Sequence, residues 1–246
     1  MTNPSPRIFI GSSRQELGSR AAQDVAEDLR HCIADHGAAR IIFAAAPSQS
    51  DILAALCEQP GVDWTRVTAF HMDEYIGLPP AAPQRFGNWL SEAIFNRLPF
   101  GTIHIMRPDD GPEAAALDYA RLLNAAPIDI CILGIGVNGH LAFNDPPADL
   151  HDPATVKIVD LDATCRQQQV DDGLFPTLAE VPARAITITV PALLRADRLY
   201  CCVPGPMKRN AVRHALSDPI GPDCPATALR LHPHCALYLD RDSAPE

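Results

Sequence analysis

Short apolar, β-branched runs bounded by Gly, Pro or Asp alternate along this chain with longer stretches of helical period, and that alternation narrows the accessible folds more than any other feature. The runs fall at 7–10, 40–45, 67–71, 103–106, 128–134, 156–159, 185–190, 199–203 and 236–239. The helical stretches fall at 14–36, 50–59, 86–98, 112–124, 162–170 and 206–216. A run such as IDICILGI (128–135) carries too little polarity to leave one strand face in water. Strands of that kind are covered on both sides, as in a parallel sheet with helices above and below. The expected fold is therefore α/β: a single doubly wound, Rossmann-like, mostly parallel sheet with helices on both faces. No repeat or low-complexity tract divides the chain, so residues 1–246 read as one domain. The Pro- and Asp-rich stretch at 144–184 reads as a lid segment, the usual role of a long polar excursion beside a site. Cys201 and Cys202, adjacent in one run, are expected to point to opposite faces of their strand.

Composition removes several classes of function. Thirty acidic against 20 basic side chains give a net charge of −10, and the basic residues are scattered. A duplex nucleic-acid binder needs clustered cations to displace counterions, so nucleic acid is not an expected partner. No apolar run reaches the ~18 residues of a membrane span, and no signal-peptide core follows Arg7 and Arg14, so a cytoplasmic protein without membrane partners is expected. The eight cysteines show no CxxC pair or regular spacing and read as reduced, mostly buried thiols. A homo-oligomer stays open.

In open α/β sheets ligands sit beyond the carboxyl ends of the strands, so the turns there carry the functional information. The first, Ala46-Pro47-Ser48-Gln49-Ser50, places hydroxyls at a helix start, either as an anion site or as a plain N-cap. The second holds Asp73 and Glu74, adjacent carboxylates of which one, desolvated, would serve as a base; a solvated acidic turn is the competing reading. The third, GIGVNGHLAFNDPP (134–147), supplies Asn138, His140 and Asp145, with Gly136 and Gly139 permitting close backbone approach. A histidine held by a carboxylate moves protons near neutral pH. GIGVNG lacks a third glycine opening a helix, so no nucleotide cofactor is expected. The acids and His140 could serve as ligands, but His140 has no HxxxH or HxH partner, so no metal site is expected. The fourth turn places Lys208 at a helix start, against the dipole, which points to a bound anion; with Arg209 and Arg213 it equally reads as a solvated face.

FHMDEYIGLP (70–79) followed by LGIGVNGHLAFNDPP (133–147) and PGPMK (204–208) resembles the paired signature of the glucosamine-6-phosphate deaminase/isomerase family, which shares a superfamily with 6-phosphogluconolactonase. The likeness runs from about residue 8 to about residue 239. Tyr75 and Leu141-Ala142-Phe143 fit the deaminase branch, since the lactonase branch has an Asp-Glu-Arg turn and a Gly-His-Thr motif. The resemblance implies an enzyme that converts glucosamine 6-phosphate, or a close epimer, to a ketose 6-phosphate and ammonium without any cofactor. It implies Asp73 as the base moving a proton between C2 and C1, and His140 as the group assisting ring opening. Asp145 stands where the family usually has the glutamate that pairs with that histidine, and Asn138 where many members have aspartate. Lys208 matches a phosphate-binding lysine. Ser48, Gln49 and Ser50 replace a Gly-rich phosphate loop, Glu74, Gly136 and Gly139 fall among the substrate-binding positions, and Arg166 is the nearest counterpart of a phosphate-binding lid arginine. The alternatives are a lactonase using His140 as base on water, and a sugar-phosphate sensor without turnover.

Overall fold

The computed structural model describes residues 6–245. In chain order the strands are β1 (Arg7–Gly11), β2 (Ala39–Phe43), β3 (Val67–His71), β4 (Asp73–Tyr75), β5 (Thr102–His104), β6 (Ile130–Leu133), β7 (Val156–Asp160), β8 (Arg184–Ile188), β9 (Arg198–Val203) and β10 (Cys235–Asp240). The α-helices are α1 (Arg14–His36), α2 (Ser50–Cys57), α3 (Phe86–Leu90), α4 (Pro112–Asn124), α5 (Ala163–Asp171), α6 (Val190–Leu193) and α7 (Arg209–Ser217).

Seven strands form one parallel sheet in the order β1-β10-β9-β6-β2-β3-β5. The strand period of two divides its side chains between two cores. Ile41, Phe43, Ile130, Ile132 and Cys202 pack with Leu17, Val25 and Leu29 of α1 and Leu53 of α2. Ile42, Cys131, Leu133 and Cys201 pack on the opposite face with Leu123 of α4, Leu193 of α6 and Val212 of α7. The adjacent thiols Cys201 and Cys202 thus face opposite cores, as the strand period predicts. Burying each Leu or Ile of these layers contributes roughly 1.5–3 kcal/mol relative to exposure.

Helix ends follow local rules. Ser13 caps α1 by accepting from the Glu16 amide, and Gly37 ends it at φ +79°. Among the described residues no helix is long and apolar enough to cross a membrane.

The sheet is not the only one. β4, β8 and β7 form a separate antiparallel sheet, with Asp73 opposite Thr187 and Tyr75 opposite Ala185. Residues 73–75, expected as a turn, are therefore a strand, and the run at 185–190 belongs to this second sheet. A three-residue strand of sequence Asp-Glu-Tyr carries no apolar alternation, and only its partners make it visible. The stretch at 86–98 also departs from a plain α-helix, since Ser91–Phe95 continues α3 as a wider π turn. Residues 144–184, expected as a lid, hold β7 of the second sheet and then α5.

Candidate active site

β2 and β6 are neighbours, but the chain leaves β2 for β3 on one side and β6 lies next to β9 on the other. Such a switch point opens a crevice at the carboxyl ends of the strands. A pocket sits there, walled by the residues following β2 (Ala44–Ala46, Ser48, Gln49), β3 (Met72, Asp73) and β6 (Gly134–Gly136, His140), and by Lys208 after β9.

Asp73 reaches the pocket from the small second sheet and is only 5% exposed. Burial first, and the neighbouring Glu74 second, hold its carboxyl well above the usual range. Glu74 points the other way. Its carboxylate accepts from the backbone amides of Tyr75 and Phe86 at 2.9 and 3.1 Å and of Gly87 at 2.9 Å, fastening β4 to the start of α3. Burial pushes it up to about 7 against the pull of these amides. It is absent from the pocket wall, so its place among the substrate-binding positions is corrected: it is a helix cap. Just before Asp73, His71 is fully buried and accepts from the Met106 amide through Nε2 at 2.8 Å, and burial lowers its pKa to about 4.

The loop after β6 carries the second chemical group. The turn Gly136–His140 closes through Gly136 N–H to His140 C=O at 3.0 Å. A Cβ on Gly136 would fall 2.2 Å from His140 Cε1, so only glycine lets the imidazole lie over the backbone. His140 Nδ1 is 3.2 Å from Asp145 Oδ1, within ion-pair range, yet this buried nitrogen has no aligned hydrogen-bond partner. Burial pushes Asp145 up, but His140, the Asn138 amide and the Asp162 N–H together hold it below the usual carboxylate range. Asn138 donates to Asp145 at 3.1 Å and to Asp162 at 3.1 Å, so it steadies the carboxylate and does not itself line the pocket. Gly139 also lies off the pocket: at φ +85° it turns the loop, and a Cβ there would meet Cys224 Sγ at 2.7 Å. Thr187 accepts from the Phe143 amide and Asn144 donates to Ile188 C=O, pinning the far end of the loop to β8.

Two further turns bring Ser48, Gln49 and Lys208 to the pocket. Gln49 passes over Gly134, where a side chain would clash, and donates to Cys202 C=O at 3.1 Å, leaving its buried Oε1 without a partner. Ser48 shares the wall, whereas Ser50, expected beside it, is exposed at the start of α2 and off the pocket. Lys208 is 7% exposed, and its ammonium has no hydrogen bond or ion pair among the described residues. Burial lowers its pKa to about 8, opposed by Asp172 and Cys165. Its turn is fixed by Asp240, whose carboxylate accepts from the Gly205 amide at 2.9 and 3.1 Å.

α5 closes the pocket, though not with the residue expected. Arg166 points away and donates to the carbonyls of Leu178 and Val181 at 2.7 and 2.8 Å, so it ties down the following segment and no lid arginine faces the pocket. The pocket residues are Gln168 and Gln169. Gln168 Oε1 accepts from the Val137 amide at 2.9 Å, and Gln169 Oε1 accepts from the Tyr75 hydroxyl at 2.9 Å. One glutamine thus engages the His140 loop and the next the Asp73 strand. Phe86 and Phe143, stacked with ring centroids 5.5 Å apart, also border the pocket. Helical phase from the Asp162 N-cap was the one sequence signal for the inward-facing glutamines. Cys165 of α5 brings its Sγ within 4.8 Å of ligand atoms of His140 and Asp145.

The chain is similar to known proteins over most of its length. The family described as glucosamine-6-phosphate isomerases/6-phosphogluconolactonase matches residues 12–237. A glucosamine-6-phosphate deaminase of Staphylococcus epidermidis is 33% identical over 230 residues, covering 90% of this chain and 93% of that protein. One from Halothermothrix orenii is 32% identical over 196 residues, covering 78% of this chain and 80% of its own. Among solved structures, a monomeric glucosamine-6-phosphate deaminase superposes with a TM-score of 0.89 at 25% identity, over 96% of this chain and 98% of the other. A 6-phosphogluconolactonase from Thermotoga maritima shares the fold at TM-score 0.77 and 18% identity, over 96% of this chain and 100% of its own. The chain belongs to the glucosamine-6-phosphate isomerase/6-phosphogluconolactonase family.

Proposed function

We propose that this member of the family is an amino-sugar-phosphate deaminase acting on glucosamine 6-phosphate or a close epimer. The observation that carries the reading is the pocket's division of labour: a desolvated carboxylate, Asp73, and an imidazole, His140, backed from outside the cavity by Asp145, share one pocket with a buried, unpaired lysine, Lys208.

The residue chemistry fits each step. Lys208 and the Ser48 turn hold the phosphate, a dianion that supplies the counter-charge the lysine lacks. His140 takes the proton of the C1 hydroxyl and returns one to the ring oxygen, opening the sugar to its aldehyde, with Asp145 stabilising the imidazolium in between. Asp73 then removes the C2 proton while O1 gains the proton that the amine gives up, forming an enolamine, and Asp73 delivers its proton to C1. Nitrogen keeps its bond to C2 as a ketimine, and water adds at C2, releasing ammonium and leaving a ketose 6-phosphate. A carboxylate with a raised pKa is the stronger base for this transfer. Eight unpaired thiols suit a reducing compartment, so we place this activity in the cytoplasm.

The test is ammonia release from glucosamine 6-phosphate and galactosamine 6-phosphate, alongside hydrolysis of 6-phosphogluconolactone. The reading expects ammonia from one of the amino sugars and its loss in Asp73→Asn. Folded protein that hydrolyses only the lactone, or binds sugar phosphates without turnover, overturns it.

A further inference from the structure

We propose that His140, Asp145 and Cys165 form an inhibitory binding site for a borderline-soft divalent cation, zinc above all. The inference rests on the proposed role of His140 for its consequence, but not for the site itself.

Three observations carry it. First, an imidazole nitrogen, a carboxylate oxygen and a thiol sulfur lie within 4.8 Å of one another, and His140 Nδ1 is 3.2 Å from Asp145 Oδ1. Zinc bonds of about 2.0–2.3 Å put tetrahedral ligands ~3.3–3.8 Å apart, so the longest separation has to close by about 1 Å. Second, His140 Nδ1 is buried and without an aligned hydrogen bond, in a side chain only 8% exposed as a residue. A buried imidazole nitrogen that lies 3.2 Å from a carboxylate oxygen yet is misaligned for a hydrogen bond to it keeps its lone pair open to a metal. Third, the ligands are already oriented from behind. Asn138 donates to both Asp145 and Asp162, Asp162 N–H donates to Asp145 Oδ2 at 3.1 Å, and Asp162 Oδ1 accepts from the Cys165 amide. Such outer partners fix carboxylate and thiol geometry around a metal.

The donor set, one nitrogen, one oxygen and one sulfur, suits zinc better than magnesium or calcium, which take oxygen. Three acids, Asp145, Asp162 and Asp73, act on the Cys165 sulfur, against which Lys208 on the pocket side is the opposing charge. HxxxH or HxH spacing does not mark these ligands, because Cys165 arrives on α5 and only the fold places it behind the β6 loop.

Binding breaks the Cys165 S–H bond, forms S–Zn and sends one proton to the buffer; Asp145 is already ionised. The consequence for His140 is direct. An imidazole bound to metal through Nδ1 carries its proton on Nε2 and has no lone pair left to accept another, so it no longer relays a proton during ring opening.

Metal-free protein titrated with zinc against a chromophoric chelator tests this. We expect one ion per chain, one proton released, and at least about tenfold weaker binding in Cys165→Ser. Inhibition of ammonia release is expected at the same zinc concentrations, reversed by chelator and shifted by the same factor in the variant. Cobalt is the second probe: the wild-type complex should show thiolate-to-cobalt charge-transfer absorption that Cys165→Ser lacks. Unchanged zinc affinity in Cys165→Ser, or a cobalt spectrum without thiolate in the wild type, overturns the site. Because stoichiometry, proton release and spectrum need no turnover, a chain that releases no ammonia still decides the metal site and fails only the deaminase reading.

Discussion

Gly136 and His140 are in such close contact that a single added methyl would overlap the imidazole: the Cβ would lie 2.2–2.3 Å from three ring atoms. The ring's orientation over the pocket thus depends on a missing side chain four residues away. Gly136→Ala is expected to displace the imidazole while leaving the sheet intact, because the turn lies beyond the end of β6. Misplacing a catalytic group by about 1 Å costs on the order of 10²-fold in rate. Measurement of kcat alongside thermal unfolding checks this; wild-type kcat would refute it.

Lys208 and Arg166 separate by role. Lys208→Met removes the buried cation that faces the pocket, whereas Arg166→Met removes two bonds to the carbonyls of Leu178 and Val181. A hydrogen bond to a charged group is worth ~1.5–3 kcal/mol, so Lys208→Met should raise KM by roughly 10- to 150-fold. Arg166→Met should lower thermal stability and leave KM within a few-fold. Steady-state kinetics on both variants decide the assignment; equal KM effects would return Arg166 to the phosphate site.

How much of this was readable from the chain follows from where each signal is stored. β2, β6 and β9 announce themselves because burial on both faces demands unbroken apolar sequence, and the residues following them, including Ser48, His140 and Lys208, come along with the strand ends. β4 does not, because three residues hydrogen-bonded to β8 more than a hundred positions later have no local pattern. Arg166 misled for a related reason. Charge type suggested a phosphate ligand, but its direction is set by the carbonyls at 178 and 181, a tertiary fact, and the neutral Gln168 and Gln169 took the inward face. Asp240 stayed silent because its partner, the Gly205 amide, is a backbone atom.

The hydroxyl of Tyr75 and the amide of Gln169 join α5 to the Asp73 strand in a buried contact. Tyr75→Phe keeps the aromatic packing on Phe86 and Phe143 but strands Gln169 Oε1. An unsatisfied buried acceptor costs about 1–3 kcal/mol, and each kcal/mol moves Tm by ~2–4 °C at this chain length. A loss of about 2–12 °C is expected in thermal unfolding, and no loss would mean that α5 is held by other contacts alone.

Glu74 ties stability to pH. Its carboxyl is pushed from 4.5 to about 7 in the folded chain. A raised folded pKa means stability is fully present below pH 4.5 and declines as pH rises toward 7, on the order of 3 kcal/mol for this group alone. Glu74→Gln should flatten that decline between pH 4.5 and 7, at a fixed cost from facing an NH2 toward one of the three amides it now accepts from. Denaturant unfolding across that interval gives the slope; parallel wild-type and variant curves would show Glu74 ionised throughout.

Activity should titrate at both ends of its range, through different constants. Protonating Asp73 removes the proposed base, and because burial and Glu74 raise its pKa, kcat/KM should fall on the acid side well above the pH at which an exposed aspartate titrates. On the alkaline side Lys208, held down to about 8 by burial, loses its proton and with it the attraction for a phosphate dianion. Affinity, not chemistry, suffers there, so kcat/KM should decline as pH rises through about 8 while kcat at saturation holds, since bound phosphate keeps the lysine charged. Lys208→Arg, charged at every accessible pH, should move the alkaline limb out of range even where its bulk raises KM throughout. Profiles of kcat and kcat/KM for the two proteins separate these effects, and an alkaline limb that persists in the arginine variant would assign it to another group.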